Sequence, residues 1–292
     1  MKAYNPKDWF KVLFDIQKSD TLWKLFPLMI FVAIYSLGIA YWEIEYLKLS
    51  EKSWVKNIHI MHSLLGFVIS MLLVFRTNTA YDRWWEGRKL WGSLVNNSRN
   101  LALKLDAVLD KGDEDSRFFF RETIPLYAFT LKDHLQSEVT RLMLDEIDHP
   151  ELSRLDTRKH VPNQVAGLMM SRINKLYKEG TITGDQLITL NSELSSFTDI
   201  CGACERIKNT PIPYSYSSFI KKFIVVYVLT LPLGYVFNLG YYVAPIVTFV
   251  FYVLASLELV AEEIEDPFGA DANDLPMDKM AGNIKKHVGE II

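Results

Sequence analysis

Residues 58–92 read IHIMHSLLGFVISMLLVFRTNTAYDRWWEGRKLWG. The first 18 of them, Ile58 to Phe75, contain no Lys, Arg, Asp or Glu, although His59 and His62 fall among them. About 20 apolar residues cross a bilayer as a helix. No proline or turn cluster follows Phe75. From Thr79 to Leu109 apolar residues hold helical spacing through Trp84, Leu90, Trp91, Leu94, Leu101 and Leu105. The spacing predicts a helix that leaves the membrane and runs on, roughly 50 residues and about 75 Å long at ~1.5 Å per residue.

Two more blocks lie outside this one. Leu25 to Trp42 is 18 residues without a charge, and Phe223 to Leu257 is 35. The second is too long for one crossing. Pro232, Gly234, Asn238 and Gly240 interrupt it, so it reads as a tight hairpin of two helices. The expectation is an all-α chain with four transmembrane helices, at 22–42, 58–76, 219–237 and 241–260. Soluble core helices rarely run so far without a polar face. Tyr35, Tyr41, Trp42, Trp54, Tyr241 and Tyr242 stand near the predicted span ends, where interfacial aromatics collect.

The rest of the composition agrees. The chain has 292 residues, 49% hydrophobic and 23% charged, a net charge of −3 and a mean hydropathy of +0.07. That is too apolar for an ordinary soluble enzyme and too charged for a protein wholly in lipid. Two Cys exclude a disulfide scaffold. No basic excess points to nucleic acid. Lysines and arginines gather before the first span (Lys2, Lys7, Lys11, Lys18, Lys24), after the second (Arg76, Arg83, Arg88, Lys89) and before the third (Arg206, Lys208, Lys221, Lys222). The positive-inside rule then puts both termini and the whole middle in the cytoplasm. No cleavable signal peptide is expected.

The middle, 77–218, reads as a cytoplasmic helical domain. Asp113–Ser116 is a turn and cap. A helix follows from Arg117 to about Glu146, then a loop over His149–Pro162, and helices over Asn163–Lys178 and Gly184–Lys208. In residues 1–21, Trp9, Phe10, Leu13 and Phe14 alternate with Lys7, Asp8, Lys11 and Asp15. This pattern fits an interfacial amphipathic helix, or equally one packed on the cytoplasmic helices. The tail, 261–292, opens on an acidic run.

Several constellations could carry chemistry. Cys201 and Cys204 form a CxxC, a redox pair or half a metal site. With no second CxxC and no His pair nearby, packing of a helix by small residues is the preferred reading. His59 and His62 share one helix face and could bind a metal or sense pH; with Glu258 they could also serve a proton-coupled transporter. Phe67, Met71 and Phe75 recur at i, i+4 and i+8 as a stripe of large apolar groups. Such a stripe usually meets lipid or neighbouring helices; it could also line a pore and gate by dewetting. Ser63, Ser70 and Thr77, with Gly66 beside them, make a small stripe that permits close helix contact. The acids after Glu258 could attract Ca²⁺ or simply be solvated. No motif of a P-loop, nucleophile elbow, dinucleotide fold or HExxH metalloenzyme occurs, so no enzyme activity is expected.

Three stretches add a resemblance. Arg76-Thr77-Asn78-Thr79-Ala80-Tyr81-Asp82-Arg83-Trp84-Trp85-Glu86-Gly87-Arg88-Lys89-Leu90-Trp91-Gly92 resembles the segment after the second span of bestrophins. Cys204-Glu205-Arg206-Ile207 with Thr210-Pro211-Ile212-Pro213-Tyr214 is similar to the segment before the third span in bacterial members. Glu262-Glu263-Ile264-Glu265-Asp266-Pro267-Phe268-Gly269, with Asn273-Asp274-Leu275-Pro276, resembles the segment after the fourth. With the span pattern the resemblance covers nearly the whole chain, in a bacterial-type form without the long C-terminal tail of animal members.

The resemblance implies a homopentameric ion channel around one central pore in a bacterial inner membrane. Its partners would be copies of itself, membrane lipid and permeant monovalent ions, cations or anions. In the family the second span lines a hydrophobic neck with three large apolar side chains. Phe67, Met71 and Phe75 match those positions, and the middle ring, a thioether here, is more flexible. A second constriction at the cytoplasmic exit falls near Asp185 and Gln186, where the family's apolar residue is not obvious. Animal members hold calcium in acids after Pro-Phe-Gly. Asp271 and Asp274 match two of these, but Ala270, Ala272 and Asn273 interrupt the run, so no cofactor is required.

Overall fold

The computed structural model describes residues 21–47, 58–136, 156 and 159–292. The amphipathic segment expected over 1–20 lies outside them, as does most of 137–158, where the second cytoplasmic helix was expected to end and the following loop to begin. Among the described residues every regular element is helical.

The elements divide into two compact units, each discontinuous in sequence. The first takes in the described part of Lys2–Asp82 together with Pro211–Glu265. It contains α1 (Thr21–Tyr41, closed by a π-turn over Trp42–Tyr46), the start of α2 (Ile58–Val108), α6 (Tyr214–Leu239) and α7 (Val243–Glu265). α1 packs on α6 and α7, and α6 on α7. Its core is apolar: Leu25 and Val32 from α1, Ile69 and Leu73 from α2, Ile224 and Val228 from α6, Val247 and Phe251 from α7. Outside that core the same helices leave Phe26, Phe31, Ile34, Val226, Phe249 and Val253 exposed. A soluble unit would bury that much apolar surface; a bilayer solvates it.

Among the described residues, three helical stretches are long and apolar enough to cross a membrane: Thr21–Tyr46, Ile60–Val108 and Tyr214–Glu265. The third holds two helices. The chain turns at Gly240, whose φ of 53° lies in the left-handed region, through a 3-10 turn over Gly240–Tyr242. Of the four breakers seen in the sequence, the turn uses Gly240. Pro232 lies inside α6, tolerated there as proline often is in a spanning helix. α6 begins at Tyr214, five positions before the expected start at 219.

The second unit is Arg83–Thr210 with Asp266–Ile292. It contains the rest of α2, then α3 (Glu114–Gln136), α4 (Val161–Lys178), α5 (Gly184–Asn209) and α8 (Met277–Ile291). Each start has a local cause. Asp113 caps α3, its Oδ1 accepting the Ser116 N–H at 3.0 Å. His160 caps α4 through Nδ1, with Pro162 in the first turn. Thr183 and Gln186 form a reciprocal capping box at α5. α4 ends where Gly180, φ 77°, lets the Thr181 N–H reach back to the Leu176 carbonyl. α3 packs on α4, α5 and α8, and α4 on α5, around Trp91, Phe120, Tyr127, Leu131, Met169 and Phe197. The Tyr127 hydroxyl donates to the Phe197 carbonyl at 2.7 Å, which gives this buried phenol its partner.

α8 was not expected. Its signal is present: Met277, Met280, Ala281, Ile284 and Val288 sit at helical spacing, and all are buried. The acidic run just before them obscured it.

Candidate functional site

α2 runs 51 residues from Ile58 to Val108 without a break, as its sequence predicts. Within the spanning part, hydroxyls that would be stranded in lipid donate back along the helix: Ser70 to the Gly66 carbonyl at 2.7 Å and Thr77 to the Leu73 carbonyl at 2.8 Å. One face is turned inward. His62, Ile69, Leu73, Arg76 and Ala80 are buried. The opposite face carries the large stripe: Phe67, Met71 and Phe75 are 71%, 50% and 52% exposed. All three project away from the protomer's own core, so they are free to meet a pore, lipid or another copy.

The small stripe behaves differently from expectation. Ser63 and Ser70 are exposed; within the chain, close helix approach happens at Gly66, where the Tyr227 side chain of α6 comes in. His62 is buried, with Nε2 3.0 Å from the Thr230 hydroxyl and its ring against Tyr227 and Tyr235. It is a packed, hydrogen-bonded histidine. The side chain of His59 lies outside the described residues.

At the end of the span, Arg76 is buried between two carboxylates of α7, with Nε 3.4 Å from Glu258 Oε1 and Nη2 2.7 Å from Glu265 Oε2. The other oxygen of Glu265 accepts the Ile212 N–H at 2.6 Å. Glu258 is thereby committed to a buried ion pair.

The next turns of α2, in the second unit, hold the neighbouring segments by polar contacts. Arg83 donates to the Ile207 and Thr210 carbonyls, the orphan acceptors at the end of α5. The Trp84 indole donates to the Asn273 carbonyl at 3.0 Å, and Glu86 pairs with Arg206 at 2.6 Å. A Cβ on Gly87 would stand 3.1 Å from Pro267 and from Phe268, so the missing side chain there makes room for the Pro-Phe pair. The long motif is a set of helix-face fittings for the two segments that resembled family sequences.

In the segment after α7, Asp274 is buried and Asp271 exposed. Asp274 Oδ2 accepts the Asp271 N–H, and Leu275 N–H returns to the Pro267 carbonyl at 2.9 Å. Burial, aided by the charges of Asp271 and Asp266, pushes the Asp274 carboxyl up to about 6. Its Oδ1 has no partner among the described residues. The structure thus brings the Asp274 side chain to the Asp271 backbone and uses it to tie the loop.

Asp185 and Gln186 lie in the first turn of α5, beside a groove of about 250 Å³ lined also by Lys104, Val108 and Thr189. The Gln186 side chain is taken by the cap, its Oε1 accepting the Thr183 N–H at 2.8 Å. The large apolar side chain left outward here is Ile188, 69% exposed.

Cys201 and Cys204 are unpaired, buried and packed in the core of the second unit. Burial pushes the Cys201 thiol up to about 12 and raises that of Cys204 as well, the opposite of a reactive redox thiol. One expectation fails here: a His pair does lie nearby. His134 and His160, 26 positions apart in sequence, both reach Glu205 Oε1, and His160 Nε2 is 4.0 Å from Cys201 Sγ. Burial would raise the Glu205 carboxyl, but the hydrogen bonds and charges of the two imidazoles outweigh it and hold the group below its usual value. No spacing rule in the sequence joins these residues, because three separate helices bring them together.

The sequence matches a known family over residues 1–290, the family described as Bacterial/Fungal Bestrophin protein. A relative from Nostoc, named voltage-dependent anion channel-forming protein, is 32% identical over 289 residues, 98% of this chain and 92% of its own. An Escherichia coli protein of the same designation is 32% identical over 226 residues, 76% and 73% of the two chains. Among solved structures, a variant of a bestrophin homolog from Klebsiella pneumoniae superposes with a TM-score of 0.77 at 25% identity, covering 92% of this chain and 98% of that one.

Proposed function

This chain belongs to the bacterial and fungal bestrophin family, and on that premise we propose that it is the protomer of a homopentameric channel. The channel conducts small monovalent ions through a hydrophobic neck formed by α2. The observation that carries the reading is the outward stripe of Phe67, Met71 and Phe75, on a helix whose buried face meets α6 through His62 and Gly66 and α7 through Arg76. Five such stripes around one axis make three apolar rings, a constriction that is open when wet and closed when dry.

An apolar neck has no fixed charge, so it discriminates weakly by sign. Selectivity then comes from charges in the vestibules. The names of the relatives favour anions. For the second constriction, Asp185 and Gln186 flank the position, but Gln186 is spent in the helix cap. The outward Ile188 is the better candidate for an apolar ring. Four spans are read from the apolar blocks, the Gly240 turn as the last outer connection and both termini cytoplasmic from the Lys and Arg bias, and a bacterial inner membrane from the family. The channel needs no cofactor. A calcium response, if present, would act through Asp271 and Asp274.

The competing readings lose their residues. The proton-coupled transporter would use His59, His62 or Glu258; His62 and Glu258 are hydrogen-bonded and ion-paired, and the His59 side chain lies outside the described residues. The redox protein would use Cys201 and Cys204, whose thiols are held protonated.

The test is the reversal potential of purified protein in planar bilayers under a KCl gradient, with and without Ca²⁺. Stable current reversing near the Cl⁻ potential supports an anion channel, and near the K⁺ potential a cation channel with the same neck. No current from well-folded pentamers overturns the reading.

A further inference from the structure

In the second unit, three side chains from three helices converge on one carboxylate oxygen. His134 lies near the end of α3, His160 caps α4, and Glu205 lies one turn after Cys201 on α5. The Nε2 atoms of His134 and His160 are 2.6 Å and 2.7 Å from the same Glu205 Oε1. The two rings are 4.4 Å apart, and one donor atom from each of the three residues falls within 4.8 Å of the others. We propose that this cluster is a binding site for zinc or a similar divalent transition metal, with His134 Nε2, His160 Nε2 and Glu205 Oε1 as ligands and Cys201 Sγ as the fourth.

The donor chemistry selects the metal. Two imidazoles, a carboxylate and a thiolate suit a borderline tetrahedral ion, whereas Ca²⁺ and Mg²⁺ want oxygen alone. Two neutral rings and two anions balance a 2+ charge, which favours a site this close to the core. All three residues are partly open to solvent, so an ion has a way in.

Loading has a definite cost. The nitrogens now stand at hydrogen-bond distance from the carboxylate. Around a tetrahedral ion, ligand atoms ~2.0–2.1 Å from the metal are about 3.3 Å apart, so side-chain rotation must open the cluster by a little over half an ångström. At present His160 Nδ1 accepts the Asn163 N–H at 3.1 Å, which places its ring proton on Nε2. On loading, each ring proton moves to Nδ1, the Asn163 cap bond is given up, and the Cys201 thiol proton leaves to solvent. At His134 the bond to the Glu205 carboxylate keeps the proton on Nε2, and Nδ1, without a partner among the described residues, has no bond to give up when it takes the proton.

The full-length protein in detergent, stripped with a chelator and equilibrated with Zn²⁺, is expected to retain one zinc per chain by mass spectrometry. With Co²⁺ it is expected to show a thiolate-to-cobalt charge-transfer band. His134→Gln and Glu205→Gln should each weaken zinc binding ~100-fold or more, above what loss of an outer-shell partner costs. Cys201→Ser should abolish the band, and circular dichroism establishes that each variant is folded. Wild type that retains no zinc at micromolar free ion overturns the site. So do histidine and glutamate variants that bind as tightly as wild type, or a cobalt spectrum without the thiolate band.

Discussion

A Cβ on Gly66 would stand 2.8 Å from the Tyr227 hydroxyl oxygen and 3.6 Å from the ring carbon that bears it. The first distance is a clash and the second an ordinary contact, so it is the hydroxyl that requires glycine here. Gly66→Ala should lower stability by about 1–3 kcal/mol, as overpacking does. Adding Tyr227→Phe removes the clashing atom and should restore most of the loss. Thermal unfolding of the two single variants and the double variant in detergent reads this directly; a double variant no better than Gly66→Ala would locate the strain elsewhere.

Arg76 is buried with both Glu258 and Glu265, so removing Arg76 strands two carboxylates, whereas removing Glu258 leaves Arg76 with Glu265. Arg76→Ala should cost about 3–5 kcal/mol, and Glu258→Ala less, since Arg76 keeps Glu265. The double variant Arg76→Ala/Glu258→Ala should cost less than the sum, because the two most buried charges go together and Glu265 keeps the Ile212 N–H. Denaturant titration of the four forms gives the coupling energy.

Met71 forms the middle of the outward stripe. Met71→Ala should raise single-channel conductance or open probability by widening and wetting the neck, and Met71→Phe should lower one or both by stiffening it. If all three residues at this position gave the same conductance and open probability, Met71 would not be a neck residue.

Asp113 caps α3. Burial alone would raise its carboxyl. The hydroxyl and N–H of Ser116, together with the charges of Arg172 and Arg117, outweigh burial and hold it below the ordinary 3.8. A depressed acid stabilises the folded state above its unfolded value and loses that contribution as pH falls through the folded one. Asp113→Ala should therefore cost about 1 kcal/mol at neutral pH, with the gap to wild type closing as the pH drops below 3.8. Melting temperatures of both proteins across that range check it.

Most of the fold was legible because its signals are local. The uncharged block from Ile58 to Phe75 and the apolar period through Leu105 specify α2. Gly184 begins α5 as expected, and α3 and α4 start three and two residues before the expected Arg117 and Asn163. Gly240 marks the turn between α6 and α7, though the sequence offers four breakers and does not say which one bends the chain. The outward stripe of Phe67, Met71 and Phe75 was visible as spacing, and its meaning came from family resemblance. The capping role of Gln186 is readable from Thr183 three positions before it, and counting from a distant motif passed over it. The His134–Glu205–His160 cluster had no sequence signal, since its members meet only when α3, α4 and α5 pack.

The second unit closes with α8, whose Met277, Ala281, Ile284 and Val288 complete a core begun by α2 and α3. On the ribosome, Arg83–Thr210 emerges before α6 and α7, and the piece that seals its core comes only after them. Domains usually fold in the order in which they are made; this one has to wait, its apolar interior open while the later helices enter the bilayer. A premature stop anywhere between Asp266 and Met277 would spare every membrane-crossing segment and still leave a product that aggregates or is degraded.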